Sequence, residues 1–334
     1  MTPSQIVTSL SQHVVGQEDA KRQLAVAIYT HYKKIALAEP DKAEIIKSNV
    51  LLIGPTGTGK TLVCETLARI LQVPFVTANA TSLAQSEYVN DEIEAILLRL
   101  IDKAEGDIGR AQRGIVFIDE IDKLKAINGQ QGQMRGTSGE GVQHALLKIM
   151  EGAPVKINGE KYIDTTQVLF ICGGAFVGLD ESRARTRSFG FISTSEDDNQ
   201  KLLDRLNERV KPTDLAEFGL IPEFAGRLPI IAHFTPLSRE MMVRIMTEPK
   251  NSIYKQYCQM LHNDGVELLI EPPVFEQIAD LAMEYKVGAR SLRGIFEEML
   301  TPTMYLLPDH SEVRQVRFAS LFEDPKFIGT RTPD

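Results

Sequence analysis

The first stretch whose residue types and spacing point to chemistry is GPTGTGKT, at residues 54–61. It matches the pattern G-x-x-x-x-G-K-[ST], follows the apolar run NVLLI and precedes the helical pattern TLVCETLARIL. Glycines let the backbone turn its N–H groups onto phosphate oxygens, and a helix N-terminus adds partial positive charge. Lys60 would place its ammonium group on the β- and γ-phosphates, and Thr61 would offer a hydroxyl to Mg²⁺. The stretch therefore predicts a nucleoside triphosphate site, the alternative being a glycine-rich turn with an exposed lysine.

A second stretch, GIVFIDEID at residues 114–122, ends an apolar run with acidic residues. Ligands bind at the carboxyl ends of strands in open α/β sheets. Asp119 would orient Mg²⁺ and its waters, and Glu120 would position and polarise an attacking water. Such acids are often only a solvated strand end, but with the glycine-rich loop they predict an ATPase. The two stretches predict these contacts for ATP and Mg²⁺: Gly54, Pro55, Thr56, Gly57, Thr58, Gly59, Lys60, Thr61 and Asp119.

The composition is that of a globular protein, with 334 residues, 43% hydrophobic and 25% charged, enough for two domains. No apolar run approaches the roughly 18 residues of a membrane span, and the N-terminus lacks the features of a secretory signal. Three cysteines without a C-x-x-C spacing argue against a disulfide framework or a structural zinc site. We therefore expect a cytoplasmic protein. The net charge of -8 makes a nucleic-acid partner unlikely.

Near-continuous apolar segments predict strands that are buried on both faces of a parallel sheet. They are NVLLI (49–53), PFVTA (74–78), GIVFI (114–118), QVLFI (167–171) and LPIIAHF (228–234). Amphipathic helices dominate after residue 235, with Ser238 as a predicted N-cap. We predict an α/β P-loop NTPase domain over residues 1–235 and a small, mainly helical domain over residues 236–334. Residues 128–141 and 193–200 are predicted to be mobile loops.

The chain also carries, in this order, GPTGTGKT, GIVFIDEIDK, SGEGVQHALLKIMEG, LFICGGAF, FGLIPEFAGRLP and VGARSLR. With these motifs in this order, the chain resembles the ATPase core of the ClpX family, whose members are ring-forming protein unfoldases of the AAA+ class. The likeness extends from VVGQEDAKRQLAVAIYTHYKK to about residue 308. It implies a homo-hexamer that uses ATP and Mg²⁺ to thread unfolded or tagged proteins through its central pore. It also implies delivery of those substrates to a ClpP-type peptidase.

The resemblance assigns further residues to the nucleotide. Val15 and Gly16, with His31 and Tyr32 nearby, fall where the family contacts adenine. These assignments come from the family pattern and not from the residue types themselves.

Two arginines gain roles in the same way. Arg227 matches the arginine finger that reaches the γ-phosphate of a neighbouring subunit, and Arg290 matches the second sensor. We predict that Gly288 is a helix C-cap and that Arg290 begins the next helix, where a cation opposes the helix dipole. A nearby phosphate would relieve that opposition. The alternative for both arginines is an ordinary solvent-exposed charge.

Two loops correspond to the family's contacts with proteins. Tyr88 and Val89 occupy the pore loop, although both glycines that flank this pair in the family are absent. Tyr88 has the alternative role of a staple on the helix that follows. Phe189, Gly190 and Phe191 occupy the tripeptide that docks on the peptidase ring, an exposed apolar anchor of the kind that marks partner sites. The alternative is that the two phenylalanines fold back onto the ring.

The sequence departs from the family in three other places. It starts almost at the ATPase core, without the N-terminal four-cysteine zinc module, which leaves adaptor binding open. The family's basic Arg-Lys-His loop is replaced by APVKINGEKYIDTT, where Asn158-Gly159 predicts a two-residue hairpin. The segment QVLFICGG ends in Cys172 and glycines instead of an Asn or Thr, so we assign no first sensor.

Other functional classes share the same nucleotide motifs. A nucleic-acid motor or clamp loader would need a basic pore or stripe with stacking aromatic residues, and the acidic composition argues against it. A regulatory ring that binds ATP without remodelling substrates is opposed by the presence of Lys60, Glu120, Arg227 and Arg290. A remodelling ATPase that acts without a peptidase is the remaining alternative to a ClpP-linked unfoldase.

Overall fold

The computed structural model describes residues 1–37, 47–125, 138–157, 161–179 and 209–329. The chain forms two compact units. The first comprises Met1–Ile6, Asp19–Gly54 and Cys64–Phe234. The second comprises Val7–Glu18, Pro55–Val63 and Thr235–Asp334. An amino-terminal segment and most of the glycine-rich loop thus group with the carboxyl-terminal residues, and the domain boundary near residue 235 stays a prediction.

The first unit is built on a parallel sheet. Its strands and those of a separate hairpin are β1 (Val50–Ile53), β2 (Phe75–Asn79), β3 (Ile115–Asp119), β4 (Pro154–Ile157), β5 (Lys161–Asp164), β6 (Leu169–Gly174) and β7 (Ile230–His233). The strand order in the sheet is β2-β3-β6-β1-β7, and all four pairings are parallel. This confirms the predicted parallel α/β fold.

The middle strands explain why the apolar segments were continuous. All residues of β1 and β6 are buried, as are the first four residues of β3. Alternate residues of these strands, such as Leu51, Val116 and Phe170, enter one core cluster with the surrounding helices, and the residues between them are buried as well. The helices in this part of the chain are α1 (Pro3–Ser11), α2 (Glu18–Leu37), α3 (Lys60–Leu71), α4 (Ala80–Gln85), α5 (Val89–Lys103), α6 (Ile108–Ala111), α7 (Gly139–Glu151), α8 (Pro212–Phe218) and α9 (Pro222–Gly226).

The pairing register of the β4–β5 hairpin differs by one residue from the register that the sequence predicted. The strands are antiparallel, as expected, but Ile157 pairs with Lys161. A two-residue turn at Asn158-Gly159 would instead have paired Ile157 with the residue before Lys161. The register of the strands therefore corrects that prediction, while residues 158–160 themselves lie outside the described residues.

The predicted loop at residues 128–141 is too long at its carboxyl end. Ser138 caps α7, its Oγ accepting a hydrogen bond of 3.1 Å from the Gly141 N–H, so Gly139 and Gly141 are already helical. A Cβ atom on Gly139 would collide with the Leu124 backbone. The glycine thus serves a close approach of backbones and not mobility. Residues 126–137 and 193–200 lie outside the described residues.

The second unit is helical with a small sheet. Its helices are α10 (Arg239–Thr247), α11 (Ile253–Asn263), α12 (Pro272–Tyr285) and α13 (Arg290–Leu306). Its strands are β8 (Glu267–Ile270), β9 (Val313–Phe318) and β10 (Lys326–Gly329), in the order β10-β9-β8. Ser238 caps α10 as predicted, since its Oγ accepts a hydrogen bond from the Met241 N–H. The mainly helical prediction is confirmed, but the three strands were not predicted.

The amino-terminal segment of the second unit is fixed by a buried amide. Gln17, with φ of 58°, donates from Nε2 to the Thr235 carbonyl and accepts from the Thr235 N–H through Oε1, both at 2.8 Å. One side chain therefore satisfies both backbone groups of Thr235, as a paired strand would. Residues 7–18 are consequently part of this unit's structure. Among the described helices, none is long and apolar enough to cross a membrane.

Candidate functional site

The glycine-rich loop, residues 54–61, runs from the end of β1 into the first turn of α3. Its start is tied to β6 because the Gly54 N–H donates to the Gly174 carbonyl at 3.1 Å. Gly57 and Gly59 have φ of 77° and 97°, a region that side chains strongly disfavour. A Cβ atom on Gly59 would have no neighbour within 4 Å, so the backbone faces open space there. The loop has the shape of a phosphate cradle at a helix N-terminus.

Lys60 and Thr58 are turned into this cradle. The Lys60 Nζ donates to the Pro55 carbonyl at 2.9 Å, and the Thr58 Oγ1 donates to the same carbonyl at 2.7 Å. Both side chains are buried, with only 7% of Lys60 exposed. A buried ammonium requires a compensating acceptor, and phosphate oxygens are stronger acceptors than a carbonyl. The residues therefore fit a polyphosphate.

Within the second unit, residues 55–61 of this loop pack against the start of α13. The Ala289 N–H donates to the Gly57 carbonyl at 3.1 Å. A Cβ atom on Gly57 would collide with the Val287 backbone, and one on Gly288 would collide with the Gly57 backbone. The first residue of α13 is Arg290, an exposed side chain with no hydrogen bond or ion pair to any described residue. The predicted helix start is confirmed, and Arg290 directly follows the residue that contacts the loop.

The predicted cap of the preceding helix is wrong. α12 ends at Tyr285, and Lys286 adopts the left-handed conformation with φ of 53°. Gly288 has φ of 67° but lies beyond the cap, where it contacts Gly57. Its lack of a side chain is explained by that contact and not by helix termination.

The two acids lie where β3 ends. Asp119 is the last residue of β3, and its Oδ1 accepts a hydrogen bond of 2.8 Å from the Glu120 N–H. Glu120 has φ of 60°, which turns its side chain away from the strand direction. Gly173 of β6 lies beside Asp119, and a Cβ atom there would meet Phe117 and the Asp119 carboxylate. The glycine therefore keeps the space next to the carboxylate free.

Strand order places these acids near the start of the glycine-rich loop. β6 pairs with both β1 and β3, so the carboxyl ends of β1 and β3 are separated by two strand spacings. Two spacings amount to about 10 Å. Gly54 and Asp119 thus share one edge of the sheet, as the sequence predicted for a phosphate loop and its metal-orienting acid.

Glu120 is held by residues that the sequence reading missed. Its Oε2 accepts hydrogen bonds from the Asn79 Nδ2 at 3.0 Å and from the Thr81 Oγ1 at 2.8 Å. Asn79 ends β2 and also caps α4, because its Oδ1 accepts from the Thr81 and Ser82 N–H groups. The signal was available: Asn79 follows a predicted strand, and neighbouring parallel strands end at the same edge.

Asp122 is a second missed residue. It is 5% exposed, and its carboxylate accepts long hydrogen bonds from the Ala175 and Phe176 N–H groups, at 3.3 and 3.4 Å. These bonds fix the backbone just after β6. Asp122 thus has a structural role beside the site.

Arg227 lies at the opposite side of the sheet, where the parallel strands begin; this side is called the amino edge below. It precedes β7, and its carbonyl accepts a hydrogen bond from the Asn49 Nδ2, which precedes β1, at 3.2 Å. The four residues of β1, about 13 Å of strand, separate this edge from Gly54. The guanidinium group is half exposed and pairs with Glu151 at 2.7 Å. The structure therefore does not bring Arg227 to the start of its own phosphate loop.

His31 and Tyr32 also lie at the amino edge. The His31 Nε2 is 3.0 Å from the Gln167 carbonyl, and the Tyr32 hydroxyl donates to the Arg113 carbonyl at 2.8 Å. Those carbonyls precede β6 and β3. Burial lowers the pKa of His31 to about 4 and raises the pKa of Tyr32. These contacts are structural, and they argue against the adenine contacts that the resemblance implied for this pair.

Val15 and Gly16 belong to the second unit. Val15 is buried, and Gly16 has φ of 68°. A Cβ atom on Gly16 would collide with the Met241 side chain. The adenine contacts predicted for these two residues stay a prediction.

The two predicted protein-contact loops differ in what the structure describes. Tyr88 precedes α5 and is 68% exposed, whereas Val89 packs against the core of the first unit. A staple role would bury Tyr88, so its exposure argues against that alternative, and the pore-loop role of Tyr88 and the partly buried Val89 stays a prediction. Phe189, Gly190 and Phe191 lie outside the described residues.

Comparison with known proteins adds a family to this geometry. The AAA domain (Cdc48 subfamily) profile matches residues 46–231, and the profile of the C-terminal, D2-small domain of ClpB protein matches residues 237–318. The two matches together cover most of the chain.

Several curated relatives carry the name ATP-dependent Clp protease ATP-binding subunit ClpX. The protein of Bacteroides thetaiotaomicron is 43% identical, over 93% of this chain and 78% of its own length. The protein of Treponema denticola is 46% identical, over 92% of this chain and 77% of its own length. A third, ClpX 3 of Methylococcus capsulatus, is 44% identical over 94% of this chain and 78% of its own length.

Proposed function

Because this chain belongs to the ClpX family of AAA ATPases, we propose that it is the ATP-driven protein unfoldase of a Clp-type protease. The chain is an ATPase. The observation that carries the proposal is the shared sheet edge, where the GKT loop follows β1 and the Asp119-Glu120 pair follows β3. That arrangement supplies phosphate binding and water activation together. The names of the relatives supply the link between the ATPase and a protease.

ATP and Mg²⁺ are the proposed cofactors. The backbone of residues 54–61 and the Lys60 ammonium would hold the phosphates, and Thr61 and Asp119 would hold the metal with its waters. Mg²⁺ supplies neutralisation of phosphate charge when it is bound. Val15 and Gly16 are the proposed adenine contacts, whereas His31 and Tyr32 are left out because of their position at the amino edge. Arg290 is the proposed second sensor, supported by the contact between Ala289 and Gly57.

Glu120 is the proposed base. Its carboxylate would accept the proton of the attacking water, and the Asn79 and Thr81 donors fix where that carboxylate points. A Glu120→Gln subunit should bind ATP and fail to hydrolyse it, because the phosphate contacts remain while the base is lost. Appreciable turnover by the variant would remove Glu120 from this role.

Arg227 is proposed to act on a neighbouring subunit in a homo-hexameric ring. An arginine at the amino edge is remote from the start of its own phosphate loop, which supports action between subunits. Rings mixed from Arg227→Ala and Glu120→Gln subunits should regain ATPase activity, since some interfaces then pair an intact Glu120 with an intact Arg227. No recovery in well-mixed rings would contradict action between subunits.

Protein substrates and a ClpP-type peptidase are the proposed partners, and the cytoplasm is the proposed location. The exposed Tyr88 would grip the substrate. Residues 189–191 are proposed as the docking tripeptide on the strength of the sequence alone. The test is ATP-dependent loss of fluorescence from a tagged fluorescent protein, with and without a peptidase ring. Unfolding without degradation would favour a remodelling ATPase that acts alone, and stimulation by DNA instead of protein would favour a nucleic-acid motor.

A further inference from the structure

The ion pair between Arg227 and Glu151 has a specific geometry. The Arg227 Nε and Nη2 both contact one carboxylate oxygen, Glu151 Oε1, at 3.0 and 2.7 Å. Nε and the inner N–H of Nη2 form one edge of the guanidinium plane. Glu151 therefore occupies this edge, and among the described residues no other side chain pairs with the arginine.

The other edge of the guanidinium group remains available. Nη1 and the outer N–H of Nη2 make no hydrogen bond to a described residue, and half of the side chain is exposed. A guanidinium group binds phosphate best through two parallel N–H donors on one edge. With Glu151 on one edge, the pair of donors on the other edge is presented to solvent.

Glu151 is itself fixed by a buried network at the end of α7. The Lys47 Nζ and Thr165 Oγ1 donate to the Ile149 carbonyl at 3.1 and 2.9 Å, and the Asn49 Nδ2 donates to the Met150 carbonyl at 3.2 Å. These donors satisfy carbonyls that a helix end leaves without partners. The backbone that carries the Glu151 carboxylate is therefore held in place.

The same asparagine fixes the arginine. The Asn49 Nδ2 also donates to the Arg227 carbonyl, so one amide connects the end of α7 to the backbone of Arg227. Asn49 is 1% exposed and directly precedes β1. Hydrogen bonds thus link both parts of Arg227 to the end of α7: Asn49 links the backbone, and Glu151 links the side chain.

Stability does not explain the pair. Glu151 and Arg227 are 42% and 51% exposed, and exposed pairs contribute only about 0–1 kcal/mol. Holding a long side chain in one rotamer has a larger effect on ligand binding than on stability. The conformational entropy of the side chain is then already lost before the ligand binds.

We propose that Glu151 is the positioning residue of Arg227: it holds the guanidinium group by its Nε edge and directs the other edge towards the γ-phosphate of the neighbouring subunit. This inference rests on the proposed action of Arg227 between subunits. It adds a residue of α7 to the hydrolysis site, and this residue touches neither nucleotide nor metal.

Glu151→Gln should lower kcat for ATP about two- to tenfold, the effect expected when a rotamer-rich side chain is released, with little change in KM. Glu151→Asp keeps the charge and should lose less activity. The matched control is Glu140→Gln, the same change at an exposed position on the same helix, where the partner is His144. All three variants should keep the denaturation midpoint of the unaltered protein. A Glu151→Gln ring with unaltered kcat, or a Glu140→Gln ring with the same loss, would overturn the proposal.

Subunit mixing separates positioning from a local effect on the ATP site of the same chain. In rings of Glu151→Gln and Glu120→Gln subunits, some active sites receive both Glu151 and Arg227 from the neighbour. Turnover per intact Glu120 should therefore rise, as the share of Glu120→Gln subunits increases, towards that of rings mixed from unaltered and Glu120→Gln subunits. A defect that stays with the Glu151→Gln subunit's own site would refute the proposal.

Two outcomes distinguish the proposed action of Arg227 between subunits from the positioning role of Glu151. If Arg227→Ala leaves ATPase activity intact, or is not rescued by Glu120→Gln subunits, the action of Arg227 between subunits is wrong. If Arg227→Ala is rescued in mixed rings and Glu151→Gln is harmless, only the positioning role is wrong.

Discussion

At the scale of single residues, the backbone conformation of Glu120 helps to set where the carboxylate of this proposed base points. A left-handed φ of 60° is unfavourable for a residue with a side chain, and it persists only when neighbours hold it. Asn79 and Thr81 provide that hold through two hydrogen bonds to one carboxylate oxygen. The orientation of the proposed base therefore depends on the end of β2 and the start of α4.

Thr81→Val tests this dependence with little change in shape. The variant removes one donor from the Glu120 carboxylate, and a hydrogen bond to a charged group contributes about 1.5–3 kcal/mol. We expect kcat for ATP to fall roughly tenfold, with KM unchanged, in a steady-state ATPase assay. Ser82→Ala is the control, because Ser82 is the next residue of α4, is exposed and makes no side-chain contact with Glu120. Equal activity of the two variants would contradict the role of Thr81.

His31 predicts a loss of stability in mild acid. Burial holds its pKa at about 4 in the folded chain, against 6.5 for the free side chain. Between these values the unfolded chain binds the proton more tightly, so stability is complete above about pH 6.5 and falls as the pH drops towards 4. His31 alone contributes about 2 kcal/mol to the difference in the free energy of unfolding between pH 8 and pH 5.

Denaturant unfolding at pH 8 and pH 5 measures this difference. His31→Gln keeps a donor for the Gln167 carbonyl and should flatten the pH dependence by that amount. His144→Gln, at an exposed histidine, should leave the dependence unaltered. The same pH dependence in His31→Gln and in the unaltered chain would show that His31 is not the titrating group.

At the scale of elements, the backbones of the glycine-rich loop and the start of α13 approach each other closely at two glycines. Gly57 and Gly288 both have positive φ, and neither position has room for a Cβ atom. The Ala289 N–H completes the contact by donating to the Gly57 carbonyl. The shape of the phosphate loop is thus coupled to the position of Arg290.

Gly288→Ala should disturb that coupling. The added Cβ atom would push against the Gly57 backbone at a residue whose φ already disfavours a side chain. We expect KM for ATP to rise at least about tenfold, which corresponds to 1.4 kcal/mol of lost binding. Gly294→Ala within α13, where a Cβ atom meets nothing within 4 Å, is the control and should leave KM unaltered. Similar KM values for both variants would argue against the coupling.

The strands and helix ends also show which parts of the fold the sequence could predict. The five strands of the parallel sheet were predicted because burial on both faces makes them continuously apolar. Strands β8 and β9 were missed because they are short and half buried, and because the apolar residues of VRQVRF do not alternate strictly although β9 is the central strand of its sheet. Lys286 ended α12 in place of the predicted glycine, and nothing in the local sequence indicates that Gly288 is needed elsewhere. Contacts between distant segments were the part that pattern reasoning could not supply.

At the scale of the whole molecule, we expect ATP hydrolysis and protein unfolding to depend on different surfaces. The proposed hydrolysis residues of the first unit, Asp119 and Glu120, lie where β3 ends, whereas Tyr88 is an exposed aromatic side chain before α5. Tyr88 makes no side-chain cap to α5, so the helix does not require its side chain. Loss of that side chain should consequently leave the nucleotide site unaltered.

Tyr88→Ala should therefore keep basal ATPase activity within about twofold and slow the unfolding of a tagged fluorescent protein by roughly tenfold or more. An aromatic side chain that contacts the substrate contributes about 1–3 kcal/mol, and truncation to alanine removes this contribution. Tyr305→Ala is the matched control, since Tyr305 is 79% exposed in the second unit and has no proposed role in the pore. Parallel measurements of ATP turnover and fluorescence loss distinguish the outcomes. If Tyr88→Ala unfolds the substrate as fast as Tyr305→Ala, the grip on the substrate lies elsewhere, and the exposure of Tyr88 needs another explanation.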